Sequence, residues 1–195
     1  MQFLGHIAIY LNTKLCTFNP FLSYNIKFMK TIQLAVTIEA YDNHQDFTEQ
    51  EQQLFATARK ACLNAHAPYS KFQVGAAVLL ADGQVFEGNN QENAAYPSGL
   101  CAERVAIFYA SATNPNTPVK AVAVTINYDL NPNFDEIVSP CGGCRQVLVE
   151  YEHKFGNNIT IYMVGKNERV YVVRSMKQLM PMSFSGDVLA DFGKK

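Results

Sequence analysis

The stretch Asn90-Gln91-Glu92-Asn93-Ala94-Ala95-Tyr96-Pro97-Ser98-Gly99-Leu100-Cys101-Ala102-Glu103-Arg104 decides how this chain is read. It carries a thiol and a carboxylate close together, Cys101 and Glu103, at the point where a helical pattern begins. A second unit, Pro140-Cys141-Gly142-Gly143-Cys144-Arg145, also opens a helical pattern. Structural zinc sites are closed by four protein ligands, whereas catalytic sites keep one position for water. Cys101, Cys141 and Cys144 are therefore read as three ligands of one Zn2+, with a position left over for chemistry.

Three thiolates leave a zinc complex formally anionic, which weakens it as a Lewis acid and raises the pKa of a bound water. Two features can offset this. All three cysteines fall in first helical turns, where free N–H groups and the helix dipole favour anions. Arg104 and Arg145 follow the two ligand units and can donate to the sulfurs, so at least one of them is expected to contact a ligating thiolate. Glu103 does not readily share an ion with Cys101, because positions i and i+2 of a helix face apart. It can reach a water on that ion, where a carboxylate does general acid–base work. Taken alone, Glu103 reads first as an ordinary first-turn acid; the neighbouring thiols reverse this in favour of the catalytic reading. Two other readings of the cysteines stay open. Cys141 and Cys144 could be a thiol–disulfide pair, which leaves Cys101 and Glu103 without a role. Cys62 could be a fourth ligand closing a structural site.

Outward from these units the chain alternates helical and extended patterns. Asp46 to His66 reads as a helix, with Thr48 as N-cap, Glu51 completing a capping box, and an apolar stripe through Leu54, Phe55, Ala58 and Cys62. Phe72 to Leu80 and Gln84 to Gly88 read as a β-hairpin across Ala81-Asp82-Gly83. Gly75 and the alanines after it are small enough to let a helix lie close to the sheet. A second helix is expected over Cys101 to Ala112, a strand buried on both faces over Val119 to Tyr128, and a third helix over Cys141 to Phe155. Strands over Ile159 to Val164 and Val170 to Val173 precede a short helix at Met176 to Met180. This order implies a three-layer α/β/α domain around one mixed five-stranded sheet. That domain is expected to span residues 46–195, with 1–45 an N-terminal extension. Residues 1–28 show no helical or strand period and are read as a disordered arm or a start-site artefact, with Met29 as the start.

The 195 residues carry a formal net charge of -1 and are 48% hydrophobic, which fits one globular domain. The charge balance argues against nucleic acid as a partner, since such binding relies on clustered Lys and Arg. No stretch is apolar for the roughly 18 residues that a membrane span requires. Five cysteines give no disulfide framework. Cys16 and Cys62, outside the zinc pattern, are read as reduced and structural, and the thiolate ligands as favouring a cytoplasmic location.

Cys101-Ala102-Glu103 followed by Pro140-Cys141-x-x-Cys144 resembles the signature of the zinc nucleobase deaminases. The surrounding motifs resemble the small homotetrameric zinc-dependent cytidine deaminases. They are Tyr69-Ser70-x-Phe72-x-Val74-Gly75-Ala76-Ala77, the Asn90–Arg104 stretch, Pro140-Cys141-Gly142-x-Cys144-Arg145-Gln146 and, more weakly, Leu179-Met180-Pro181-x-Ser183-Phe184. The resemblance implies a cytidine deaminase-like fold and hydrolytic deamination of cytidine and 2′-deoxycytidine to uridine and 2′-deoxyuridine, with release of ammonia, as in pyrimidine salvage. It implies that Glu103 moves protons between water, N3 and the leaving amine, and that the Ala102 N–H binds the base O2. Phe72 is expected to stack on the base, and Asn90 and Glu92 to hold the ribose 3′-hydroxyl. Ala94, Tyr96 and Phe184 are expected to reach a neighbouring subunit's site in the homotetramer. On local grounds alone Phe72 is as well a core residue and Asn90 a turn residue. The nearest alternative is a deaminase of another cytosine compound such as blasticidin S; Asn90 together with Glu92 favours cytidine. The chain departs from the pattern at Ser185-Gly186, where many relatives carry Gly-Pro, and its loop 129–139 is somewhat long.

Overall fold

The structure is a computed structural model and describes residues 30–186 and Leu189. Residues 1–29, which include Cys16 and the stretch read as an arm or artefact, lie outside the described residues. The described residues from Leu34 onward belong to one compact unit.

The elements are β1 (Glu39–Tyr41), α1 (Glu49–Cys62), β2 (Val74–Leu80), β3 (Val85–Asn89), α2 (Ala102–Thr113), β4 (Val119–Ile126), α3 (Gly142–Phe155), β5 (Thr160–Val164), β6 (Val170–Val173) and α4 (Met176–Leu179). They build one mixed sheet in the order β1-β6-β5-β4-β2-β3. Only β4 and β5 run parallel, connected through α3; every other pair is antiparallel.

Strand alternation sorts the core into two layers. Ala76, Val78 and Leu80 of β2, with Val122 and Val124 of β4 and Ile161 and Met163 of β5, face α2, α3 and α4 through Ala106, Ile107, Leu148, Val149 and Met176. The residues between them, Ala77, Leu79, Ala121, Ala123, Tyr162 and Val164, face α1 through Leu54, Phe55 and Ala58. The three-layer α/β/α arrangement is the one expected.

Among the described residues the sheet has six strands, not the five expected. The additional strand, β1, lies in the stretch read as N-terminal extension and pairs with β6. Three residues of Glu-Ala-Tyr carry no measurable periodicity, so pattern reading misses it. It is held instead by long-range contacts. The Glu39 carboxylate receives both Nε and Nη2 of Arg174, and the Tyr41 hydroxyl donates to it at 2.9 Å. Helix α1 starts on the expected capping box, with Thr48 N donating to Glu51 Oε2 at 2.8 Å and Glu51 N to Thr48 Oγ1 at 3.4 Å. It ends at Cys62 rather than His66, because His66 leaves the helix to bond the loop after β3 through His66 N to Asn90 O and Glu92 N to His66 O.

Gly75 sets the spacing between α1 and the sheet. A Cβ there would lie 2.1 Å from Ala58 O and 2.7 Å from Cys62 N, both helix backbone. Gly75→Ala is expected to force the layers apart and destabilise the fold by about 3 kcal/mol, read as a fall in the urea midpoint at unchanged m-value. Among the described residues no helix is long and apolar enough to cross a membrane.

Candidate active site

The two ligand units meet because α2 and α3 lie side by side on one face of the sheet with their N-termini adjacent. Cys101 is the N-cap of α2 and Cys141 the N-cap of α3, while Cys144 sits within the first turn of α3. Among the described residues these three cysteines form the one group of His, Cys, Asp and Glu side chains able to hold a metal ion, their sulfurs all within 4.8 Å of one another. Cys101 Sγ and Cys141 Sγ are 3.7 Å apart. Two sulfurs on a tetrahedral zinc at about 2.3 Å stand about 3.8 Å apart, so the donor set and its spacing fit zinc. No disulfide links them. Cys62 is not a fourth member: its thiol is packed beneath α1, against Ala58 O and Thr125 O, and burial pushes its pKa up to about 11.

The cluster concentrates negative charge. Cys101 is the acidic member, its pKa lowered to about 5 by a hydrogen bond from the Cys144 thiol, against the effect of burial, with further help from Arg104 and Cys141. Cys144 is shifted the other way by the same contact and by burial. The expected arginine contact is present once. Arg104 Nη2 donates to Cys101 Sγ at 3.6 Å, which raises the arginine's own pKa. Arg145 behaves differently from expectation. Its guanidinium donates to Pro140 O, Leu179 O and Ser139 Oγ, so it fixes the loop ahead of Cys141 to the last residue of α4 and gives the sulfurs no hydrogen bond. A residue next to a ligand in sequence points wherever its helical phase directs it, and the phase of Arg145 is away from the cluster. Arg104→Gln is expected to weaken metal retention about 10–100-fold, measured by competition with a chelator; retention equal to wild type would remove the charge-balance argument.

Glu103, at the second position of α2, is only 4% exposed and lies beside the sulfurs. Burial raises its pKa, the Cys101 charge adds to this, and a hydrogen bond with Cys144 works against both.

Cys101, Glu103, Arg104 and Cys141 form part of the wall of a cavity of about 760 Å³, whereas Cys144 is fully buried and does not line it. Of the residues singled out in the sequence, Phe72, Asn90, Glu92, Tyr96, Cys101, Ala102, Glu103, Arg104 and Cys141 line it. Ala94 and Phe184 are exposed and lie outside this wall. Phe72 presents a ring that is 42% exposed. Asn90 is locked across the start of β2: its Oδ1 accepts from Val74 N at 2.8 Å and its Nδ2 donates to Phe72 O at 2.9 Å. Glu92 accepts from Tyr69 N, Ser70 N and the Ser70 hydroxyl, and the Ser70 hydroxyl contact is the main cause of its lowered pKa. Tyr69, Ser70, Val124, Val138 and Ser139 also line the cavity without having been assigned a place there. Ser70 belongs to the Tyr69-Ser70-x-Phe72 motif, but a lone serine in a loop carries no local sign of this position.

Fold and site together define a three-layer α/β protein with a three-thiolate metal centre and a buried acid beside it, at the wall of an open cavity. The family model described as the cytidine and deoxycytidylate deaminase zinc-binding region matches residues 48–156. A cytidine deaminase of Sporosarcina psychrophila is 37% identical over 139 residues, covering 71% of this chain and 94% of that protein. A probable cytidine deaminase of Dictyostelium discoideum is 33% identical over 141 residues, covering 72% of this chain and 88% of that one. Among solved structures, the cytidine deaminase from Burkholderia pseudomallei aligns with a TM-score of 0.59 at 34% identity, over 71% of this chain and all of that one (100%). The cytidine deaminase from Mycobacterium tuberculosis aligns with a TM-score of 0.53 at 30% identity, over 69% and 96%. The chain belongs to the cytidine and deoxycytidylate deaminase family, whose matching region is zinc-binding.

Proposed function

We propose that this protein hydrolyses cytidine and 2′-deoxycytidine to uridine and 2′-deoxyuridine, releasing ammonia. One observation carries the reading: three sulfurs lie close enough to share an ion, and two of the cysteines that bear them, Cys101 and Cys141, line the same cavity as the buried Glu103 carboxyl and the exposed Phe72. The relatives named above, all described as cytidine deaminases or probable ones, support it.

Cys101, Cys141 and Cys144 would hold the zinc. When bound there, the metal supplies the acidity that makes a water nucleophilic towards C4 of the base near neutral pH. Glu103 does the proton work in two passes: its carboxylate takes one proton from the water and delivers it to N3, then takes the water's second proton and delivers it to the departing amine, so that one water is consumed for each ammonia released and the carboxylate is regenerated. The N–H of Ala102, at the first position of α2, has no intrahelical acceptor and is free to donate to the base O2. Phe72 offers a face for stacking. Asn90 and Glu92 bind the ribose 3′-hydroxyl. The Asn90 amide keeps one N–H and one lone pair beyond its two backbone bonds, so locking it leaves it competent to bind. A carboxylate at the sugar disfavours a phosphate there, which points to free nucleosides.

Ala94, Tyr96 and Phe184 complete the sites of neighbouring subunits in a homotetramer. Tyr96 is 78% and Phe184 57% exposed in the single chain, large aromatic surfaces that a second copy would cover. The near-neutral charge speaks against nucleic acid as a partner, and the thiolate ligands for the reducing cytoplasm.

The test is direct. Purified, zinc-loaded protein is mixed with cytidine and with 2′-deoxycytidine, and the loss of ultraviolet absorbance and the release of ammonia are followed. Stoichiometric ammonia and uridine support the reading. Inert behaviour towards both nucleosides at full zinc loading would direct the search to other cytosine compounds.

A further inference from the structure

The loop that carries Phe72 is unusually well anchored, and the anchor is the sugar side of the cavity. The Glu92 carboxylate accepts from Tyr69 N at 2.9 Å, from Ser70 N at 3.3 Å and from the Ser70 hydroxyl. The Ser70 Oγ in turn accepts from Phe72 N at 3.0 Å. Between them, Lys71 is held at φ 59°, a left-handed conformation that a lysine rarely adopts without restraint. A continuous chain of bonds therefore runs from Glu92 through the Ser70 hydroxyl to the backbone of Phe72. An ionised carboxylate has about four acceptor positions; the loop takes three, and one remains for a sugar hydroxyl.

We propose that Ser70 is a positioning residue that ties the ring of Phe72 to the carboxylate of Glu92, so that the group reading the sugar also sets the platform for the base. This rests on the cytidine reading above. Glu92 acts directly on the sugar and, through Ser70, on the base. Ser70 itself needs no contact with the reacting atoms. Losing its hydroxyl leaves Phe72 N without its acceptor and lets Lys71 relax towards ordinary φ, which moves the ring.

A shape-matched pair isolates the hydroxyl. Ser70→Thr keeps it and Ser70→Val replaces it with a methyl, and both sit at an exposed position that does not threaten the core. With cytidine, Ser70→Val is expected to raise KM about tenfold and to leave kcat within about twofold, the mark of lost uniform binding. Ser70→Thr stays within about twofold of wild type on both constants. The same pair is run with 3′-deoxycytidine. Because the effect passes through the base, the Val penalty persists when the sugar hydroxyl is absent. An unchanged KM for the Val variant overturns the proposal, as does a penalty that vanishes with 3′-deoxycytidine or one equally present in the Thr variant. Should the Val protein fail to fold, Ser70→Ala is compared with Thr on the same criteria. A wild-type protein that turns over neither nucleoside defeats the functional reading itself, a result separate from any difference between variants.

Discussion

Glu103→Gln is expected to lower kcat by about 10³-fold, within the range of about 10²–10⁴ for loss of a general acid–base group, while zinc content stays at the wild-type level. The two halves of this result come from different parts of the structure. Glu103 is not one of the clustered donors, so the ion keeps its sulfurs. Its carboxyl is buried beside them, where it is placed to carry the proton. Glutamine has the same shape and fills the same volume, and it removes an ionisable group whose charged form burial already disfavours. Stability should therefore hold or rise, with an unchanged or slightly higher Tm. An inactive, metal-loaded and fully stable protein is hard to obtain by general damage. Turnover within tenfold of wild type would show that protons move by another route, and the role assigned to this acid would fall.

How much of this was legible in the sequence depended on the range of the signal. Cys101, Cys141 and Cys144 could be grouped because each unit opens a helix, and helix N-termini are strongly marked locally. The layers followed from the order in which helical and extended segments succeed one another, each segment being marked by its own local pattern. What escaped was held by contacts distant in the chain. Strand β1 exists through Arg174 and β6, far along the chain from Glu39. The hydrogen bonds of Asn90 across Phe72 and Val74 depend on the register of the hairpin. Arg104 and Arg145 looked equivalent as neighbours of ligand units, and only helical phase separated the one that meets a sulfur from the one that clamps carbonyls. Ser70 was invisible for the same reason: its hydroxyl matters only once the loop after β3 has been folded against it.

Cys144→Ser should abolish bound zinc and turnover together and lower Tm by about 10 °C, whereas Cys62→Ala should leave the metal in place. Both sulfurs are buried, so burial alone does not separate them. Their surroundings do. Cys144 sits with Cys101 and Cys141 where two helix N-termini converge, and each sulfur lost from a three-ligand site removes a third of its donors. Serine keeps the volume roughly but offers a hydroxyl that is neutral at this pH, a poor substitute for a thiolate on zinc. Metal bound at about 1,000 times its dissociation constant stabilises the folded state by about 4 kcal/mol, and in a chain of this size each kcal/mol corresponds to about 2–4 °C in Tm. The melting loss should therefore be reproduced in the wild type by a strong chelator, and chelator should have no further effect on the Cys144→Ser protein. Cys62, packed under α1 with its thiol against Ala58 O and Thr125 O, belongs to the other face of the sheet. Its alanine variant should lose only packing stability, and it should keep both the chelator-sensitive melting shift and the activity. If zinc were retained without Cys144, or released without Cys62, the three-sulfur centre would be wrongly drawn, and the acid beside it would have no water to act on.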